Sequence, residues 1–338
     1  MELFPTDMTT ALPGPPAPQV AARRRHGGAV VGPAPLTPDV AALASALPPL
    51  IHLGTSSWSF PGWAGLVYDR VATENELARD GLAAYARHPL LRAVGIDRTF
   101  YAPLSAADFA RYASVVPLHF RFIVKATDAV TSPTRAESGR TGRRVPNPQF
   151  LDAAHAADTV VAPFVAGLGP QAGPLVFQLV PLPKALLRDP PAFIARLHDF
   201  LAALPRGPLY AVELRNAALL VPDYAAALAA TGVAHCFNVH PSMPPPDEQA
   251  QHVPLEQNPA LVARWMLNAR YDYAAARAAY APFDRLVDED PASRAALADL
   301  CGRAARLGRP AFVAANNKAE GSAPLTLVRL ARHIVTGA

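Results

Sequence analysis

An α/β fold, in which strands and helices alternate and close into a (β/α)8 barrel of the TIM type, is what this 338-residue sequence predicts. Three observations predict it. Eight short runs rich in β-branched and aromatic residues alternate with Ala- and Leu-rich stretches of helical period. Polar residues recur at or just beyond the carboxyl ends of those runs, where chemistry sits in a closed parallel barrel. Neither GxGxxG nor GxxxxGK[ST] follows any run, so a doubly wound nucleotide-binding sheet is the weaker alternative.

Residues 1–48 come first, and Pro13, Pro15, Pro16, Pro18, Pro33, Pro35 and Pro38 break any helical or strand period there. The stretch reads as a disordered Pro/Ala-rich tail with a solvated Arg23-Arg24-Arg25 cluster, and residues 49–338 read as the barrel domain. Strands are expected at 51–56, 94–100, 120–126, 175–180, 210–215, 233–238, 263–267 and 311–316. Helices are expected at 74–88, 105–115, 148–166, 190–204, 217–231, 291–308 and 322–335, several of them opened by capping residues such as Ser105 and Ser322. The link between the sixth and seventh strands fits worst: residues 241–246 read as a Pro-rich loop, with a short helix expected at 254–262. A long excursion, 268–290, carries Tyr271, Tyr273, Tyr280 and Phe283, and a connection of that length in a compact domain suggests a task.

Composition narrows the function classes. With 51% hydrophobic and 17% charged residues the chain can bury a sizeable core, which excludes disorder over its whole length. The 31 Lys and Arg against 27 acids give a formal charge of +4, a weak pointer to anionic partners. Cys236 and Cys301 are too few for a disulfide framework or zinc cluster. The start has no basic segment followed by an apolar run, and no run of about 18 apolar residues follows, so a cytoplasmic protein without membrane contact is expected.

The strand ends carry the candidate chemistry. The first run leads into Thr55, Ser56, Ser57, Trp58 and Ser59, the second into Asp97, Arg98 and Tyr101, the third into Lys125, and the fourth into Gln178. The fifth brings Glu213 and Arg215, the sixth Asn238 and His240, the seventh Arg264 or Asn268, and the eighth Asn316, Asn317 and Lys318. Lys125 follows Phe122-Ile123-Val124, where desolvation lowers an amine's pKa unless an acid neutralises it. Glu213 and Arg215 are two apart on a strand and share a face, as an inert ion pair or as an acid/base group beside an anion anchor. Amides at 178, 238, 316 and 317 can orient substrate oxygens, or simply cap loops. Trp58 and Tyr101 are candidates for a wall or lid, Thr55 and Ser56 for further polar contacts. No HxH, HExxH or His/Asp cluster suggests a metal, and nothing suggests a cofactor.

The segments Gly54-Thr55-Ser56-Ser57-Trp58-Ser59-Phe60-Pro61-Gly62-Trp63, Thr99-Phe100-Tyr101, Phe122-Ile123-Val124-Lys125-Ala126, Leu175-Val176-Phe177-Gln178-Leu179, Val212-Glu213-Leu214-Arg215-Asn216 and Asn316-Asn317-Lys318-Ala319-Glu320-Gly321-Ser322-Ala323-Pro324 occur in that order. On them the chain resembles the YecE-like proteins, domain-of-unknown-function family 72. The resemblance implies a TIM-type barrel and no specific activity. Members typically carry Glu and Asn just before the Thr-Phe-Tyr element, where this chain has Gly95 and Asp97. They typically carry His after the lysine strand, where Ser132 stands, and Arg-x-His-Gly on the seventh strand, where Arg264-Trp265-Met266-Leu267-Asn268 stands.

The expected function is a metal-independent enzyme acting on a small polar, anionic or sugar-like substrate, with acid/base chemistry shared by Lys125 and Glu213 and the anion held by Arg215. The alternatives are a nucleic-acid-binding or nuclease-like barrel and a non-catalytic metabolite binder.

Overall fold

The computed structural model describes residues 30–137 and 142–337. Eight parallel strands form its centre: β1 Ile51–Thr55, β2 Ala93–Ile96, β3 Arg121–Lys125, β4 Ala172–Gln178, β5 Tyr210–Glu213, β6 Ala234–Val239, β7 Leu261–Trp265 and β8 Ala311–Ala315. They close in the order β1-β8-β7-β6-β5-β4-β3-β2, so every strand has two hydrogen-bonded neighbours. A closed parallel ladder of this kind is what alternating β and α units require.

Two cores follow from the two-residue period of a strand. One set of buried side chains packs between the outer faces of the strands and the helices. A second, separate set includes Ala93, Ile123, Val176, Ala211, Cys236 and Phe312, the inward positions that fill the lumen. Gly54 lies on this inward parity, and a Cβ there would stand 2.1 Å from the Ala93 carbonyl oxygen, so only glycine lets β1 and β2 approach as they do.

Helix starts obey local chemistry. Ser105 and Asp108 form a capping box on the helix Ala106–Ala113, while Asp189 and Asp290 cap Pro190–Ala203 and Pro291–Arg306, each with proline in the first turn.

Several boundaries differ from the sequence expectation. β2 stops at Ile96, and 97–100, expected as strand, turn into a 3-10 segment Arg98–Phe100. The helix expected from 148 begins at Ala153, capped by Asp152, and runs through a π-helical turn, Ala157–Val161, to Leu168. The one expected at 217–231 is a 3-10 turn, Ala217–Leu219, followed by a helix, Pro222–Thr231. Between β6 and β7 the helix is Pro246–His252, at the end of the stretch read as loop; residues 254–262 hold only a 3-10 turn, Leu255–Gln257, before β7 begins at Leu261. The excursion carries a helix, Tyr273–Tyr280, capped by Asp272, and an antiparallel ribbon pairs Thr134–Ala136 with Arg144–Pro146.

Of the stretch read as tail, residues 1–29, with the arginine cluster, lie outside the described residues. Residues 38–46 form a helix capped by Thr37. Its carboxyl end is held by Arg92, whose guanidinium donates to the carbonyls of Ala44 at 2.6 Å and Pro48 at 3.0 Å, satisfying groups that a helix end leaves open. The same helix packs against the last one, Ala323–Thr336. Among the described residues no helix is long and apolar enough to cross a membrane.

Candidate functional site

The inward parity, followed to the carboxyl ends of the strands, gives one polar residue per strand: Ser56, Asp97, Lys125, Gln178, Glu213, Asn238, Arg264 and Asn316. An apolar lumen is thereby topped by a polar layer.

Its centre is a chain of alternating charges. Glu213, fully buried, accepts from Arg264 Nη1 through Oε2 at 2.6 Å and ion-pairs with Arg215 through Oε1. Arg264 reaches across the barrel with Nη2 to Asp97 Oδ2 at 2.6 Å. The Gln178 side-chain oxygen accepts from Arg264 at 3.0 Å and from Arg215 at 3.4 Å. Burial alone raises the Glu213 carboxyl, but Arg215 and Arg264 outweigh it and hold the group below its ordinary range, as an anion. Arg215 Nη1 is buried without a hydrogen-bond partner.

Lys125 stands apart from this chain. Its Nζ sits 3.5 Å from the centre of the Phe100 ring. Burial, and then Arg264, pull its pKa down from 10.5 to about 8. Lys318, just beyond β8, repeats the arrangement: it is 6% exposed, with Nζ 4.0 Å from the Tyr273 ring. Burial, and then Arg277, lower its pKa to about 8 as well. Among the described residues neither amine has a carboxylate within ion-pairing distance.

The amides divide. Asn316 donates to Ser56 Oγ at 2.8 Å and accepts from the Lys318 backbone at 3.0 Å, fixing the turn that presents Lys318. Asn238 donates to the Leu214 carbonyl at 3.2 Å, and its Oδ1 is buried without a partner. Asn317 lies off the inward parity and accepts from Trp63 Nε1 at 3.2 Å and from Ala323 N at 2.8 Å, tying a loop to a helix start.

Thr55 and Trp58 are not brought into the mouth. The Thr55 hydroxyl engages the Ser57 carbonyl at 2.7 Å and Tyr85 Oη at 2.8 Å on the outer face of β1. Trp58 donates to the Leu77 carbonyl at 3.1 Å and packs edge-on against Tyr112. Tyr101 is 75% exposed beside Phe100, at the rim. His240 is pulled down to about 4 by burial and then by Arg215, and so stays neutral near pH 7.

The departures from the family pattern now have places. A side chain at 95 would begin 3.0 Å from Ser56 Cα, so this position is closed, and the inward carboxylate comes from Asp97. Ser132 is buried, donating to the Thr134 carbonyl at 2.7 Å at the base of the ribbon. Asn268 donates to the carbonyls of Asp288 and Ala319, both at 3.3 Å, and so fastens the excursion beside Lys318.

Arg264, Asp97 and Lys318, which the sequence offers among the polar strand ends without a role, complete the constellation with Tyr273, which it places only in the long excursion. The usable signal was parity: Asp97 and Arg264 fall four and two residues after the lumen positions Ala93 and Val262. Among the described residues no three His, Cys, Asp or Glu side chains gather as a metal-holding group.

No curated protein matches the chain. Among solved structures, a DUF72 family protein from Enterococcus faecalis V583 is 16% identical with a TM-score of 0.53, over 84% of this chain and 95% of that one. A DUF72 family protein from Thermotoga maritima MSB8 gives the same identity and TM-score, over 84% of this chain and 98% of that one. At such identity these two establish the fold alone. The family described as "Protein of unknown function DUF72" matches residues 52–337, nearly the whole barrel, and the chain therefore belongs to the DUF72 family.

Proposed function

We propose that the carboxyl mouth of the barrel binds a small anionic ligand and that Lys125 exchanges a proton with it. The observation that carries this reading is the unpaired Lys125 amine, held on the Phe100 ring, in a mouth where a buried Arg215 nitrogen also lacks a partner. Among the described residues Lys125, Arg215, Arg264 and Lys318 interact with Asp97 and Glu213, and Lys125 also with Asp128, so four cations meet three carboxylates and the layer keeps excess positive charge that an anion would neutralise. An amine with a pKa near 8 holds its proton at neutral pH and releases it readily, the property a general acid or base needs. Glu213 acts differently in this reading. Both its oxygens are taken by guanidinium groups, so it positions Arg215 and Arg264 instead of exchanging a proton.

Inorganic phosphate is the first probe. Thermal unfolding in phosphate and in chloride at matched ionic strength should show stabilisation by phosphate, about 2.7 kcal/mol when it is present at 100 times its Kd. Lys125→Met should keep the fold and lose that increment. Equal melting in the two salts, or a full increment in the variant, would refute the reading. Any phosphate ester or carboxylic acid that the wild-type chain turns over should be inert with Lys125→Met.

A further inference from the structure

Lys125 is not the only amine of its kind at the mouth, and the second one bears on what the ligand looks like. Lys318 shares the main features of its setting: each is a lysine at the carboxyl end of a strand, Lys125 the last residue of β3 and partly buried, Lys318 three residues beyond β8 and buried, each lying on an aromatic ring with no carboxylate in ion-pairing distance among the described residues. The two do not share one spot. In the closed strand order β3 and β8 are separated by β2 and β1. With neighbouring strands about 4.8 Å apart, their ends lie roughly 14 Å apart along the wall. Between them stands Asp97 at the end of β2, about one-third exposed, its Oδ2 engaged by Arg264.

Two cationic stations with a carboxylate between them disfavour a single compact anion and a uniformly charged chain alike. A compact anion reaches one station only, and a negative charge in the middle would be repelled by Asp97. We infer that the ligand is a small molecule with an anionic group at each end and an uncharged or hydrogen-bond-donating middle, one end held by Lys125 with Arg215 and the other by Lys318. This inference rests on the anion-binding reading of the same mouth and adds its second end.

The test uses the full-length protein and isothermal titration with acetate, inorganic phosphate and the α,ω-dicarboxylates from malonate to suberate at constant ionic strength. Affinity should pass through one optimum along the dicarboxylate series, at least tenfold above acetate. Lys318→Met should flatten the series to the acetate level, with its own thermal transition showing that it is folded. Tyr273→Ala, at a half-exposed position where folding is not at stake, should also lower the optimum. Dicarboxylates no tighter than acetate at any length, or an optimum that survives in Lys318→Met, would overturn the inference. Phosphate binding with no length preference overturns the two-ended ligand and leaves the anion site standing, whereas no binding of any probe overturns both.

Discussion

Replacing Glu213 by Gln separates a structural carboxylate from a proton-exchanging one. The substitution preserves shape and removes one charge, leaving Arg215 and Arg264, 8% and 2% exposed, side by side without their shared counterion. Arg264 keeps Asp97, but Arg215 has no other carboxylate in ion-pairing distance among the described residues. Removing one partner from a buried pair costs about 3–5 kcal/mol, because the charge left behind is neither solvated nor paired. At roughly 2 °C per kcal/mol for a chain of this size, the melting temperature should fall by about 6–10 °C. The measurement is thermal or urea unfolding followed by circular dichroism at pH 7. Adding Arg215→Met should recover part of the loss, since the stranded charge is then gone. A Glu213→Gln variant within about 1 kcal/mol of wild type would show that the carboxylate does not hold the two arginines, and the electrostatic account of the mouth would fail.

Three other outcomes follow from the same structure. Lys125 and Lys318 titrate near 8 in the folded chain against 10.5 when unperturbed, so between those values the unfolded state binds more protons: ligand-free stability should rise with pH there, while the phosphate increment shrinks above pH 8. Gly54→Ala should destabilise by about 3 kcal/mol or more, its methyl driven into the Ala93 carbonyl, whereas Gly302→Ala, meeting only the Arg306 side chain at 3.3 Å, should be neutral or slightly stabilising in a melting experiment. Arg92→Ala should cost about 2–3 kcal/mol by freeing the carboxyl end of the helix Pro38–Ala46, seen as faster amide exchange at Leu47 with the barrel strands unchanged.

Much of this architecture was legible in the residues. The strand runs gave the barrel because parallel strands buried on both faces must be nearly continuously apolar, and that pattern survives any error of a few residues at the ends. The ends are where reading failed. Asp97 and Thr99-Phe100 look like the tail of a strand, but the chain bends at Asp97, which is how its carboxylate comes to meet Arg264. The helix Pro246–His252 hid in a run of prolines, although Pro246 in the first turn with Asp247 and Glu248 behind it is a favourable helix start. Thr55 sits in the right segment on the wrong face, a distinction that depends on the inward parity of β1, whereas Trp58 shares that parity but follows the strand's end, where the chain turns it against Leu77 and Tyr112. The partnership of Lys318 with Tyr273 joins two chain segments through folding alone, so local spacing carries no trace of it.

The clasp of Arg92 on the helix Pro38–Ala46 also bears on how the molecule is made. The surface that helix docks on includes the helix Ala323–Thr336, which is synthesised after every strand of the barrel. The helix Pro38–Ala46 therefore completes its packing only after all eight strands have been made, and a nascent chain stalled before residue 323 would hold it by the Arg92 clasp without its helical neighbour.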